Sequence, residues 1–132
     1  MRSKRGFTLI ELLVVMSIIG LLASLVAPRY LHSLDRAKEK SLATSLATMR
    51  EAIDQHAADK GRYPDSLEEL AHPTNPAQGR YLRAVPEDPF TGRRDSWLLL
   101  PPPSDAVVPG AVADVRSGAP GRAFDGSRYA DW

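Results

Sequence analysis

Glu11 is the residue whose surroundings ask most directly for chemistry. It is the single charge in an apolar run from Phe7 to Ala27. A carboxylate at mid-bilayer depth costs at least about 2.5 kcal/mol. Glu11 lies near one end of the run, which lowers that penalty but still calls for a partner of opposite charge. A basic leader (Arg2, Lys4, Arg5) precedes the run and ends in Gly6. The run is 21 residues long, about 31 Å as a helix, close to the roughly 30 Å of a bilayer core. Its basic flank is expected to stay cytoplasmic, with the remainder of the chain across the membrane.

Elsewhere the residue types offer little reactivity. The chain has no cysteine, hence no disulfide, thiolate nucleophile or thiolate metal site. His32, His56 and His72 are scattered without the spacing of zinc ligands. Glu87 and Asp88 are neighbouring carboxylates, but with no histidine or metal cluster beside them they read as part of a turn. No glycine-rich phosphate cradle follows a strand, and no Ser/His/Asp set can be assembled. Enzyme activity therefore has no positive support.

The elements that must position these residues follow in order. Pro28 sits where a helix leaving the membrane would be kinked or locally opened. From Arg29 to Asp59, Leu42, Leu46, Met49, Ile53 and His56/Ala57 recur on one helical face, with charges over most of the rest. Those charges (Asp35, Arg36, Lys38, Glu39, Lys40, Arg50, Glu51 and Asp54) read mainly as a solvated face. One helix over Phe7–Asp59 would hold 53 residues and reach about 80 Å. Gly61 suits a left-handed C-cap, and Pro64 prevents continuation. Asp65-Ser66-Leu67-Glu68-Glu69 reads as a capping box, using Ser66 or Asp65 with Glu69 or Glu68, that opens a short helix. His72–Gly79 is a polar loop. Asp88-Pro89 starts a turn in which the carboxylate bonds backbone amides. Ser96–Leu100 and Ala111–Ser117 read as strands, the first ended by Pro101-Pro102-Pro103. The stretch after Ser117 reads as a loop with a short closing strand. Ten of the eleven prolines follow Tyr63, so a thin core must lean on the long helix.

The first thirty residues, Arg5-Gly6-Phe7-Thr8-Leu9-Ile10-Glu11-Leu12-Leu13 above all, resemble the class III signal and N-terminal helix of type IV pilins and pseudopilins. A secretory signal peptide fits worse, because the run is long and no small-residue cleavage site follows it cleanly. The resemblance implies that a prepilin peptidase cuts between Gly6 and Phe7 and methylates the new N-terminus at Phe7. It also implies that Glu11 pairs with the Phe7 amine of a neighbouring subunit during assembly, although self-pairing four residues apart on one helix is open too. Pro28 matches the family proline around which the helix unwinds in filaments. Gly61-Arg62-Tyr63-Pro64 and Tyr81-Leu82 leading to Pro86-Glu87-Asp88-Pro89-Phe90-Thr91-Gly92 are similar to the G-type pseudopilins of type II secretion. The likeness is close to about Trp97 and looser beyond it. In that type the C-terminal loop holds calcium, which takes six to eight oxygens. Ser117 and Asp125 match ligand positions, Pro120 replaces an aspartate, and Asp131 stands as a candidate substitute. Without the ion, Phe124, Tyr129 and Trp132 would hold the loop by packing.

The resulting expectation is an α+β pilin-like fold: a long transmembrane and spine helix, a short helix, and a small antiparallel β-sheet packed on its C-terminal half. The divisions expected are a leader (1–6), a transmembrane and filament-core helix (7–28), an amphipathic spine (29–60) and a periplasmic domain (61–132). The implied function is a subunit of the inner-membrane-anchored type II secretion pseudopilus, polymerising to drive protein export. Its implied partners are copies of itself, minor pseudopilins, the prepilin peptidase and an inner-membrane assembly platform. Loss of Met1–Gly6 leaves 14 basic against 16 acidic residues, a balance near −2, which argues against nucleic acid as the main partner. The alternatives are a type IV pilus or competence pilin, and a membrane-tethered periplasmic binding module that never polymerises.

Overall fold

The structure, a computed structural model, describes residues 5–75, 77 and 79–132. Arg2 and Lys4 of the leader lie outside these residues, as do Pro76 and Gln78 of the polar loop. A long helix, α1 (Leu9–Lys60), is followed by α2 (Leu67–Ala71), β1 (Leu98–Leu100), β2 (Asp114–Arg116) and a 3-10 turn over Tyr129–Asp131. The fold is α+β, with β1 and β2 paired antiparallel. Two compact units divide the chain, one ending at Arg36 and the other running from Ala37 to Trp132. That boundary falls inside the stretch read as a spine.

In the first unit the helix begins two residues later than the apolar run. Thr8 is the reason. Its Oγ1 accepts from the Glu11 N–H at 3.2 Å, and its carbonyl accepts from the Leu12 N–H at 3.2 Å. A threonine cap of this kind satisfies a backbone donor that has no partner within the helix. Side chains from Leu9 to Val26 are exposed all round the helix. The hydroxyls in this run turn inward on their own helix, Ser17 donating to the Leu13 carbonyl at 2.8 Å and Ser24 to that of Leu21 at 2.7 Å. Such back-bonding hides a polar group where no water is available. Pro28 lies inside α1, which continues through it, although proline removes the N–H that would bond the carbonyl four residues back.

In the second unit α1 buries the face that its spacing predicts: Leu42, Leu46, Met49, Ala52, Ile53 and His56. Leu67 and Leu70 of α2, Leu82, Trp97, Val112 and Val115 close over that face. The buried His56 ring uses Nδ1 as a donor to the Arg62 carbonyl at 3.0 Å. Gly61 ends the helix at φ +67°, in the left-handed region, and its N–H donates to the Ala57 carbonyl at 2.9 Å. The α2 cap is a specific pair of bonds. Ser66 Oγ accepts from the Glu69 N–H at 3.3 Å, while Glu69 Oε2 accepts from the Asp65 N–H at 2.8 Å. Burial pushes the Glu69 carboxyl up, but the Asp65 N–H and the Arg62 guanidinium outweigh it and hold the group below its ordinary value.

Both strands are shorter than the sequence predicts, at three residues each. The register pairs Leu98 with Arg116 and Leu100 with Asp114. Beyond Leu100 the three prolines lack ladder donors. Before Asp114 the backbone leaves the sheet, with the Val112 N–H donating to the Pro64 carbonyl at 3.0 Å. After β2, Gly118 passes so close to Ser96 that a Cβ there would lie 2.0 Å from the Ser96 carbonyl oxygen. In place of a closing strand there is a single antiparallel bridge between Arg122 and Arg128, followed by the 3-10 turn.

Candidate functional site

The residues flanking the Gly6–Phe7 bond lie ahead of α1, outside any helical turn. Phe7 is 87% exposed. A Cβ added at Gly6 would meet nothing within 4 Å. Arg5, Gly6, Phe7 and Glu11 together line one shallow, open hollow. Glu11 occupies the first turn of α1, where a negative charge is favoured by the helix dipole. Its backbone is tied to Thr8, but its carboxylate accepts no hydrogen bond from any described residue. An exposed aromatic, a non-helical peptide bond and a carboxylate without a hydrogen bond from any described residue therefore line the same hollow. Pro28 lies along the same helix and forms no part of that hollow.

The second group of sequence candidates follows β2, and each of them is hydrogen-bonded within the chain. Ser117 is fully buried, and its Oγ donates to Asp88 Oδ2 at 2.6 Å while accepting from the Ala119 N–H at 3.0 Å. Asp125 Oδ1 accepts from the Ser127 hydroxyl at 2.6 Å and from its N–H at 2.8 Å, bonds that hold this carboxyl below its usual range. Asp131 accepts from Nε and Nη2 of the Arg128 guanidinium, at 2.9 and 3.0 Å, and that contact holds its carboxyl below its usual range too. Tyr129 stacks on Phe90 with ring centroids 4.2 Å apart and meets Trp132 edge-on at 5.5 Å. Phe124 is half-exposed, and its N–H donates to Glu39 Oε1 at 3.0 Å.

Residues 1–27 match the family described as the prokaryotic N-terminal methylation motif. Residues 29–104 match the family of type II secretion system protein G. The type II secretion system core protein G of Klebsiella michiganensis is 35% identical over 110 residues, covering 76% of each chain. The protein of the same description in Vibrio cholerae is 36% identical over 99 residues, covering 68% of each.

This chain belongs to the type II secretion system protein G family.

A protein of that description in Pseudomonas aeruginosa is 34% identical over 99 residues, covering 67% of this chain and 70% of its own. No solved structure matches the chain significantly. As a protein G family member the chain is a pseudopilin, with one described helix, α1, long and apolar enough to anchor it in a membrane.

Two features of this protein G chain escape a reading of the sequence alone. Asp88 starts the turn as expected, with Oδ1 accepting from the Phe90 and Thr91 N–H groups at 2.8 and 3.3 Å. It is also completely buried, and its second oxygen reaches 29 residues along the chain to Ser117. The charged face of α1 is likewise not wholly solvated. Glu39 holds the Phe124 N–H and the Tyr129 hydroxyl, and Arg50 reaches Asp114, Val115 and Trp132. Replacing Asp88 with alanine strands three donors, and a typical hydrogen bond contributes about 1 kcal/mol net. Asp88→Ala is therefore expected to lower stability by about 2–3 kcal/mol, with Asp88→Asn less damaging. Chemical denaturation of the detergent-solubilised chain checks this; equal midpoints for Asp88→Ala and the parent would remove Asp88 from the framework.

Proposed function

We propose that this chain is a structural subunit of the type II secretion pseudopilus, its major component, and that it acts by assembly rather than by catalysis. Cleavage between Gly6 and Phe7 removes the leader, and methylation follows at the new Phe7 amine. The mature subunit waits in the inner membrane with its C-terminal domain in the periplasm. An assembly platform then extracts it, and its α1 packs against the α1 of subunits already in place. Minor pseudopilins share the filament, whose growth drives folded protein across the outer membrane.

The observation that supports this most is the Glu11 carboxylate, which has no hydrogen bond from any described residue, beside an exposed Phe7 at the start of a helix apolar all round. A helix of that kind loses little when protein replaces lipid, provided its neighbours pack well. A carboxylate there has a natural complement in the cationic amine of a cleaved Phe7 on the next subunit.

Intact mass and N-terminal sequencing test the first step, on protein purified from a host with its own prepilin peptidase. A chain beginning at methylated Phe7 is expected. Gly6→Ala is expected to leave at least nine-tenths of the chain uncleaved. The added methyl meets nothing in the fold, so that loss would report recognition by the peptidase and not misfolding. Normal cleavage of Gly6→Ala, or a parent chain still beginning at Met1, would overturn the assignment.

A further inference from the structure

The expected calcium ion is poorly matched by the donors that this chain offers. Calcium takes six to eight oxygens, with carboxylates usually prominent among them. Among the described residues no three His, Cys, Asp or Glu side chains come together to hold a metal. The candidate ligands are each committed elsewhere: Ser117 to Asp88, Asp125 to Ser127, and Asp131 to Arg128. Pro120 supplies no side-chain oxygen at all.

Cations of the chain itself lie on the oxygens of this region. Arg50, on α1, donates from Nε to Asp114 Oδ1 at 2.7 Å. Its Nη2 donates to the main-chain oxygens of Val115 and Trp132, both at 2.9 Å. One guanidinium thereby ties the helix to β2 and to the end of the loop, across 64, 65 and 82 residues of sequence. Arg128 grips Asp131 through two bonds, and Arg122 Nη1 donates to the Gly126 carbonyl at 2.9 Å. A guanidinium suits this task, because it keeps its charge at any physiological pH and presents five donors in a rigid plane.

We propose that arginine side chains, Arg50 above all and Arg128 with it, close the C-terminal loop of this chain in place of a divalent cation, so that its folding is independent of calcium. The inference concerns the fold of the second unit and stands whether or not the chain polymerises.

The test is thermal unfolding of the full-length chain in detergent micelles, followed by tryptophan fluorescence. Samples would contain either EGTA or about 10 mM calcium chloride, above the roughly millimolar ceiling of extracellular calcium modules. A ligand that binds only the folded state raises the midpoint, so equal midpoints within about 1 °C are expected for the parent. Arg50→Gln is expected to lower the midpoint by about 5–10 °C, with no recovery on adding calcium. Should Arg50→Gln fail to fold, Arg50→Lys keeps the charge but cannot bridge three oxygens, and an intermediate midpoint is expected. Arg128→Gln should give a smaller loss, also unrelieved by calcium. A parent midpoint raised by more than about 3 °C on adding calcium would overturn the proposal, as would stoichiometric calcium binding by calorimetry. Unchanged melting of both Arg50 variants would overturn it equally.

Discussion

Replacing Gly118 with alanine is expected to lower the stability of the second unit by about 3 kcal/mol or more, the upper end of what overpacking does. The new Cβ would lie 2.0 Å from the Ser96 carbonyl oxygen and 3.1 Å from its carbon. These are backbone atoms, so no side chain can swing aside. Either the segment before β1 or the one after β2 must move. The first route pulls on Trp97, whose Nε1 donates to the Pro86 carbonyl at 2.9 Å, and the second on the buried Ser117–Asp88 bond. At about 4–8 °C per kcal/mol for a unit of this size, the midpoint should fall by about 15 °C. Thermal unfolding in detergent measures it, and a fall of less than about 3 °C would mean that the two backbones can part cheaply. Gly6→Ala serves as the control, since its methyl has free space.

Glu11→Ala is expected to leave cleavage and folding intact yet reduce assembled filaments more than a hundredfold. Nothing in the fold opposes the change, because the carboxylate has no bond to any described residue. In an assembled bundle the same change would leave a buried amine unpaired, which costs about 3–5 kcal/mol. At about 1.4 kcal/mol per tenfold, that is two to three orders of magnitude in subunit affinity. Glu11→Gln, which keeps the shape and loses the charge, should fail almost as badly. Sedimentation of sheared filaments, alongside intact mass of the subunit, separates the steps. Wild-type filaments from either variant would end the pairing argument.

The long helix was legible in the sequence because it is written twice, once as an unbroken apolar run and once as the Leu42–Ile53 stripe. Its start was misplaced by two residues, since the apolar pattern carries no record of the Thr8 hydroxyl turning back on the Glu11 N–H. Gly61 and Ser66 announced the junction correctly because caps are local chemistry. The strands are shorter than the pattern suggests: apolar alternation around Leu98 and Val115 shows which residues suit a sheet, but the proline run and the Pro64 carbonyl, which accepts from the Val112 N–H, decide how many join it. Long-range polar bonds were the least visible. Neither Asp88–Ser117 nor the reach of Arg50 leaves a periodic trace, so the sequence offers Ser117, Asp125 and Asp131 as candidate ligands with no sign of the bonds that they make within the chain.

The helix from Leu9 to Val26 is exposed and apolar on every face, with its serines turned inward. Such a cylinder carries no azimuthal information: rotated about its axis it offers every neighbour the same greasy wall. Glu11 breaks that symmetry at one level only, like a single notch on a smooth shaft. One notch fixes both how far a shaft slides and how it is clocked, and it leaves the remaining length free to slip until the notch engages.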